Sequence, residues 1–126
     1  MKIIDASAVV DLLVGKADFG GVGNEELACP HLLDSEVLHT LARLERTGSL
    51  PSADAERARG AHEELVLRRL PVTSVRQRIW ELRHNLSAYD ATYVALAEAT
   101  RATSLVTSDA RIARSPGPRC TIELLT

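Results

Sequence analysis

The stretch KIIDASAVVDLLVG, residues 2–15, changes character part-way along. KIID (2–5) is a short run with the pattern of a buried strand, and ASAVVDLLV (6–14) is an apolar-rich helix that ends at Gly15. A strand followed by a helix also stands near the other end. TSLVT (103–107) reads as a strand, SDARIARS (108–115) as a short helix, and CTIELL (120–125) as a last strand. Between them, ADFGGVGNEE (17–26) holds three glycines and no periodicity, which is the signature of a surface loop. ELAC (26–29) is a weak strand signal. Pro30 then stands where a helix can open, and Leu33, Val37, Leu41 and Leu44 form a stripe that stops at Gly48. A further helix is expected after Pro51, with Ser52 as its cap, running to about Leu67. LPVT (70–73) is read as a short strand, and Ser74–Asn85 as a helix opened by Ser74 with Gln77 three residues on. SAYDATYVALAEAT (87–100) is the next helix. Short strands alternating with helices predict an α/β fold, a parallel sheet of about five strands covered on both faces.

Composition narrows the function classes. The chain has 126 residues, 45% hydrophobic and 25% charged, with no internal repeat and no separating linker, so one domain is expected. No apolar run approaches the ~18 residues that span a bilayer. Asp5 interrupts the N-terminus where a signal peptide needs apolar residues. Two cysteines, Cys29 and Cys120, do not staple a fold of this size, which points to a reducing, cytoplasmic compartment. Fifteen basic residues against seventeen acidic give a net charge of −2, which argues against a surface coated for nucleic acid. One Trp, two Tyr and one Phe argue against an extended base-stacking platform.

Four acids nevertheless occupy positions with chemical meaning. Ligands of parallel α/β sheets bind beyond the carboxyl ends of the strands, near the reversal of strand order. Asp5 ends the first strand, and Asp109 follows the strand at 103–107 by two residues. Each also has a plain reading: Asp109 or Ser108 caps the next helix, and Asp5 is a solvated strand end. Glu36 sits at the seam of its helix's apolar stripe, so it faces either the rim of a cleft or a partner such as Arg43. Asp34 competes for that role, and is read instead as a cap near the helix start. Asp90 completes a capping pattern with Ser87, yet it also aligns with the apolar Tyr93, Val94 and Ala97. The positive end of a helix dipole keeps a carboxylate in the first turn ionised.

Two carboxylates about 4 Å apart repel by roughly 4 kcal/mol at an effective dielectric near 20. A cluster of four therefore takes up protons, pairs with Arg or Lys, or holds a cation. Carboxylate oxygens without imidazole or thiolate select hard ions such as Mg²⁺ or Mn²⁺. An ion of that kind activates water and offsets charge on a phosphodiester, in outline a metal-dependent phosphodiesterase.

KIIDASAVVDLL at the start, SEVLHTLARL in the second helix, then SAYDATYVALAEA and LVTSDARIA resemble the PIN-domain ribonucleases. Within them the pattern is most similar to the VapC toxins of type II toxin–antitoxin pairs. D-x-S, E, D-x-x-Y-x-A-L-A and T-x-D follow one another in order across essentially the whole chain. The resemblance implies a PIN-like three-layer α/β/α sandwich as a single domain over residues 1–126. It implies that Asp5, Glu36, Asp90 and Asp109 are the catalytic ligands of Mg²⁺ (or Mn²⁺), that Ser7 positions a ligand or water, and that Thr107 braces the site. Metal-activated water then cleaves RNA between nucleotides. A homodimer and a cognate VapB-type antitoxin lying in the groove are the partners it implies. The chain departs from some relatives at Arg111, where they carry a further acid or amide. A second tightly held ion loses a ligand there, and Arg111 is left to contact phosphate or to steady Asp109.

Other signals have plainer accounts. Thirteen of the fifteen basic residues are arginine, and Arg68, Arg69, Arg76, Arg78 and Arg83 cluster in the middle of the chain. Such a cluster grips phosphate or forms a solvated face paired with Glu63, Glu64 and Glu81, and the second reading is preferred. Cys29 and His31 are too close and too isolated for a zinc site and Cys120 has no adjacent ligand, so the cysteines read as buried free thiols. His39, His62 and His84 have no evident partner, and Tyr89 and Tyr93 belong to the core or a groove wall. A receiver-type signalling domain needs paired acids after the first strand and a late lysine, and the only lysines are Lys2 and Lys16. A D-x-D phosphatase fails at Ser7. A non-catalytic PIN-like module binding RNA or protein is the remaining alternative, against which the presence of all four acids counts. Setting those four aside leaves fifteen basic against thirteen acidic residues, so the acidic excess belongs to one pocket.

Overall fold

The first strand runs only three residues because Asp5 stops it and turns the chain into a helix. In a computed structural model describing residues 1–125, β1 spans Lys2–Ile4 and the Asp5 carboxylate caps α1, Ala6–Leu13, by accepting from the Ala8 N–H. β2 (Leu27–Pro30), β3 (Arg68–Leu70), β4 (Leu105–Thr107) and β5 (Ile122–Leu124) complete one sheet. Its order is β3-β2-β1-β4-β5, and every neighbouring pair is parallel. The remaining helices are α2 (Leu32–Arg46), α3 (Ser52–Glu64), α4 (Arg76–Glu81), α5 (Ala88–Ala99) and α6 (Ala110–Arg114).

The path steps outward from β1 to β2 and β3, then crosses back to β4 and β5. Right-handed crossovers put α1, α2 and α3 on one face and α4 with α5 on the other. α1–α3 pack on one another, while α5 lies against β1, β2 and β4 and is backed by α4. This is the expected three-layer α/β/α arrangement. Its centre is Ile3, Ile4, Val9, Leu33, Val37, Tyr93, Val94, Leu105 and Val106, each at most 1% exposed. Because α5 is covered by the sheet and by α4, Ala91 through Ala97 are all buried, which hides the usual one-faced stripe. Its outer end is tied to the loop before β5. Arg78 holds Glu98 at 2.7 Å and the Gly117 carbonyl at 2.8 Å, and Glu98 accepts the Arg119 N–H at 2.7 Å.

Several predicted boundaries shift. The strand expected at 70–73 is instead Arg68–Leu70, and its pattern is exposed because β3 is the sheet's edge, paired only with β2. Pro71 has no N–H to continue the ladder. Pro30 closes β2 rather than opening a helix. α3 ends at Glu64, since Leu65 is already extended, and Ser52 is its first residue without a capping bond. The helix expected over 74–85 is a single α-helical segment between 3₁₀ turns at Thr73–Val75 and Leu82–His84, and Ser74 makes no cap. The loop at 17–26 contains a 3₁₀ turn, Phe19–Gly21. No helix among the described residues is long and apolar enough to cross a membrane.

Candidate active site

Strand order reverses between β1 and β4, and the carboxyl ends of those two strands meet at Asp5 and Thr107. Among the described residues Asp5 is the one buried acid, 4% exposed. Both its oxygens are engaged. Oδ1 accepts from Ser7 Oγ at 2.7 Å and from the Ala8 N–H at 3.0 Å, and Oδ2 accepts from Thr107 Oγ1. Thr107, fully buried, also accepts the Asp109 N–H at 3.0 Å, while Ser7 Oγ accepts the Ser108 N–H at 3.0 Å. One hydroxyl from each strand–helix junction thus stitches the two junctions together. The Ser108 hydroxyl beside them is buried without a partner among the described residues.

The other acids arrive from helices. Glu36, in the second turn of α2, accepts from the Tyr93 hydroxyl at 2.5 Å. Asp90 lies in the first turn of α5, whose Ser87 cap accepts the Asp90 N–H at 3.1 Å. Asp109 caps α6 through the Arg111 N–H and forms a two-pronged pair with the Arg111 guanidinium, 2.7 Å at its shortest. All four acids line one cleft of about 340 Å³. The structure therefore brings together Asp5, Ser7, Glu36, Asp90 and Asp109, with Thr107 directly behind them. The capping readings of Asp90 and Asp109 hold as well, and Asp5 proves to be a cap too, so local and shared roles coincide. Asp5 as a solvated strand end does not hold, and Glu36 faces the cleft without an ion pair to Arg43.

The electrostatics separate Asp109 from the rest. Burial pushes the Asp5 carboxyl up to about 6, against the donors from Thr107, Ala8 and Ser7, and the Asp90 charge adds to the rise. Burial also raises Glu36 and Asp90, with further upward push from Asp90 on Glu36 and from Asp109 on Asp90. The Arg111 side chain holds Asp109 below the usual carboxylate range. Among the described residues, no basic side chain forms an ion pair with Asp5, Glu36 or Asp90. Three desolvated carboxylates, none of them in an ion pair and Asp90 repelling the other two, are the condition that a divalent ion relieves. The cleft offers oxygen donors and neither imidazole nor thiolate, which fits Mg²⁺ or Mn²⁺. No three acid, imidazole or thiolate groups among the described residues converge on one point as placed. That suits an ion held through one or two carboxylates and otherwise by water.

Several lining residues escaped the sequence reading. Asp11 follows Ser7 by four residues and Thr40 follows Glu36 by four, so each shares a helix face with a residue already singled out. Lys16 and Arg43 bring positive charge to the same cleft. Asp34, expected to cap α2, instead accepts from Arg69 at 2.7 Å and pairs with buried His62 at 2.8 Å, away from the cleft. The arginine cluster is largely paired: Arg78 with Glu81 as expected and more closely with Glu98, and Arg69 with Asp34 and Arg68 with Glu26, which were not foreseen, while Arg83 lies over Trp80. Both cysteines are free thiols.

Comparison with known proteins agrees with this geometry. The PIN-domain family model matches residues 2–117. The chain is 41% identical to the VapC ribonuclease Mb0985 of Mycobacterium bovis, over 99% of this chain and 98% of the relative. It is 40% identical to ribonuclease VapC1 of Mycobacterium tuberculosis, over 98% and 96%. Among solved structures, PAE2754 from Pyrobaculum aerophilum superposes with a TM-score of 0.67 at 26% identity, covering 88% of this chain and 82% of that one. VapC20 of Mycobacterium tuberculosis, a toxin that cleaves the sarcin–ricin loop, shares the fold with a TM-score of 0.63 at 17% identity, over 90% and 93%. Fold, acid cleft and near full-length likeness converge: the chain belongs to the PIN-domain family, and within it to the VapC proteins.

Proposed function

We propose that the chain is a divalent-metal-dependent endoribonuclease, the cytoplasmic toxin of a type II toxin–antitoxin pair, acting as a homodimer and held by a VapB-type antitoxin. The observation that carries this reading is the set of uncompensated carboxylates, Asp5, Glu36 and Asp90, sharing one cleft with Asp109. Relatives about 40% identical over nearly their whole length are named ribonucleases. When bound, Mg²⁺ or Mn²⁺ supplies a water of lowered pKa and offsets charge on a phosphodiester oxygen. Asp5, Glu36, Asp90 and Asp109 would hold it, one or two of them directly and the others through its water shell.

The chain's own part is positioning. Ser7, Ala8 and Thr107 fix both oxygens of Asp5, so its geometry does not have to be found anew with each substrate. The Tyr93 hydroxyl orients Glu36 in the same way. Arg111 steadies Asp109, and its exposed guanidinium retains donors for a phosphate oxygen. Lys16 and Arg43 draw the RNA backbone toward a cleft whose acids alone would repel it.

The test uses purified protein freed of antitoxin with a structured RNA. Cleavage should require Mg²⁺ or Mn²⁺, stop with EDTA and disappear in Asp5→Asn and Asp90→Asn variants that keep their far-ultraviolet circular dichroism. Cleavage surviving in both variants overturns the four-acid mechanism.

A further inference from the structure

Tyr89 is an exposed aromatic next in sequence to Asp90 of the acid cleft, in a chain with only four aromatic residues. It is 61% exposed and stands immediately before Asp90 in the first turn of α5. Tyr93, one turn further on the same helix face, is 1% exposed and holds Glu36. The face that fixes the catalytic acid thus continues outward and ends in an unburied ring.

That ring borders a second cavity of about 500 Å³, walled by Tyr89 on one side and by Leu32, Ser35, Glu36 and His39 of α2 on the other. Glu36 lines both this cavity and the acid cleft. Along α2 the functions fall in sequence. Leu32, Ser35 and His39 face the second cavity, Glu36 is the shared wall, and Arg43 lies about 10 Å further along the axis in the acid cleft. Because Glu36 is a wall of both cavities, a strand whose phosphodiester lay against the acids would bring an adjoining nucleotide to this one. A phenol ring, an imidazole and a leucine, with a serine hydroxyl beside them, make a surface for a flat, partly polar group of nucleobase size.

We infer that Tyr89, with His39 and Leu32, forms a stacking subsite for one unpaired nucleobase next to the scissile phosphodiester. The inference rests on the ribonuclease reading and adds a requirement: the RNA must be unpaired at the site of cutting. Tyr89 is a specificity and positioning residue, since it touches the base and not the reacting atoms. Low aromatic content excludes a platform for many bases and leaves one ring sufficient for one base.

The experiment titrates the protein, in EDTA to prevent cleavage, into short single-stranded RNAs carrying 2-aminopurine at successive positions. Stacking on Tyr89 quenches the fluorophore most strongly at one position. Tyr89→Phe should keep that quench, and Tyr89→Leu, which keeps apolar area without a π face, should lose it. Tyr89→Ala should weaken binding roughly 5- to 100-fold, the range of single base–aromatic stacks. With metal restored, Tyr89→Ala should raise KM far more than it lowers kcat on a minimal substrate. Wild-type-like RNA binding by Tyr89→Ala overturns the inference. So does a variant that keeps RNA affinity while losing antitoxin binding or dimer mass, which assigns the ring to a protein partner. Cleavage that is intact in wild type and unchanged in Tyr89→Ala overturns the subsite alone, whereas a wild type that neither cuts nor binds RNA overturns the ribonuclease reading.

Discussion

Thr107→Val removes a single oxygen from the interior and should disturb the site more than any surface change. The side chain is fully buried, so valine occupies the same space and little water enters. Its hydroxyl donates to Asp5 Oδ2 and accepts the Asp109 N–H at 3.0 Å. Losing a bond to a charged group costs about 1.5–3 kcal/mol, and an unsatisfied N–H adds roughly 1–3 kcal/mol. Relaxation of the Asp109 turn toward solvent recovers part of this, so a net loss of about 3 kcal/mol is expected. For a domain of this size that corresponds to a Tm lowered by roughly 10 °C. Thermal unfolding followed by circular dichroism in EDTA measures it, with cleavage in Mg²⁺ as the second readout. Thr107→Ser is the control: it keeps the hydroxyl, loses one methyl, and should retain cleavage while melting within a few degrees of wild type. If Thr107→Val melts within about 1 °C of the parent and cleaves normally, the bond network linking the two strand ends does not support the site.

Other expectations follow from the same geometry. Saturating Mg²⁺ or Mn²⁺ at about 100 times its dissociation constant should stabilise the EDTA-stripped protein by about 2.7 kcal/mol, and the rise in Tm should shrink sharply in Asp90→Asn; an equal rise in that variant refutes the site. Replacing Lys16 and Arg43 by alanine should weaken binding to all RNAs alike and lower the salt slope by about one to two. Unchanged slopes remove them from the phosphate path. Burial alone would raise Glu98, but Arg78 and the Arg119 N–H outweigh it and leave its pKa below the ordinary 4.5. Its contribution is therefore fully present above that value and is lost as pH falls through the lowered one. Glu98→Gln should cost about 2 kcal/mol at pH 7, and denaturant melts should show the gap to wild type narrowing below pH 4.5. A gap independent of pH refutes the pairing.

Much of this site was legible because its acids occupy places the local code marks. Asp5 and Asp109 stand just beyond strands and open helices, and Asp90 sits three residues after a serine cap, so each announces itself without tertiary information. Glu36 was visible only as an anomaly at the edge of an apolar stripe. What stayed hidden depends on pairs far apart in the chain. The Tyr93–Glu36 bond, the Asp34 contacts with His62 and Arg69, and the entry of Lys16 and Arg43 into the cleft are set by helix packing rather than by spacing. Strand β3 was misplaced because an edge strand with one partner and an exposed face tolerates Arg68 and Arg69, leaving no apolar signal to read. The short α4 was overextended because apolar spacing does not distinguish α-helix from the 3₁₀ turns that flank it.

The bond between Thr107 and Asp5 joins residues 102 positions apart. Its consequence lies in the order of synthesis. A nascent chain emerges from its N-terminus, so Asp5, Glu36 and Asp90 all leave the ribosome before β4 does. Until then β1 lacks the neighbour on that side, and the Asp5 carboxylate lacks the hydroxyl that fixes its second oxygen. A partly made chain holds most of the acids and no centre. The centre is therefore completed late in synthesis, when β4 docks beside β1 and Thr107 reaches Asp5.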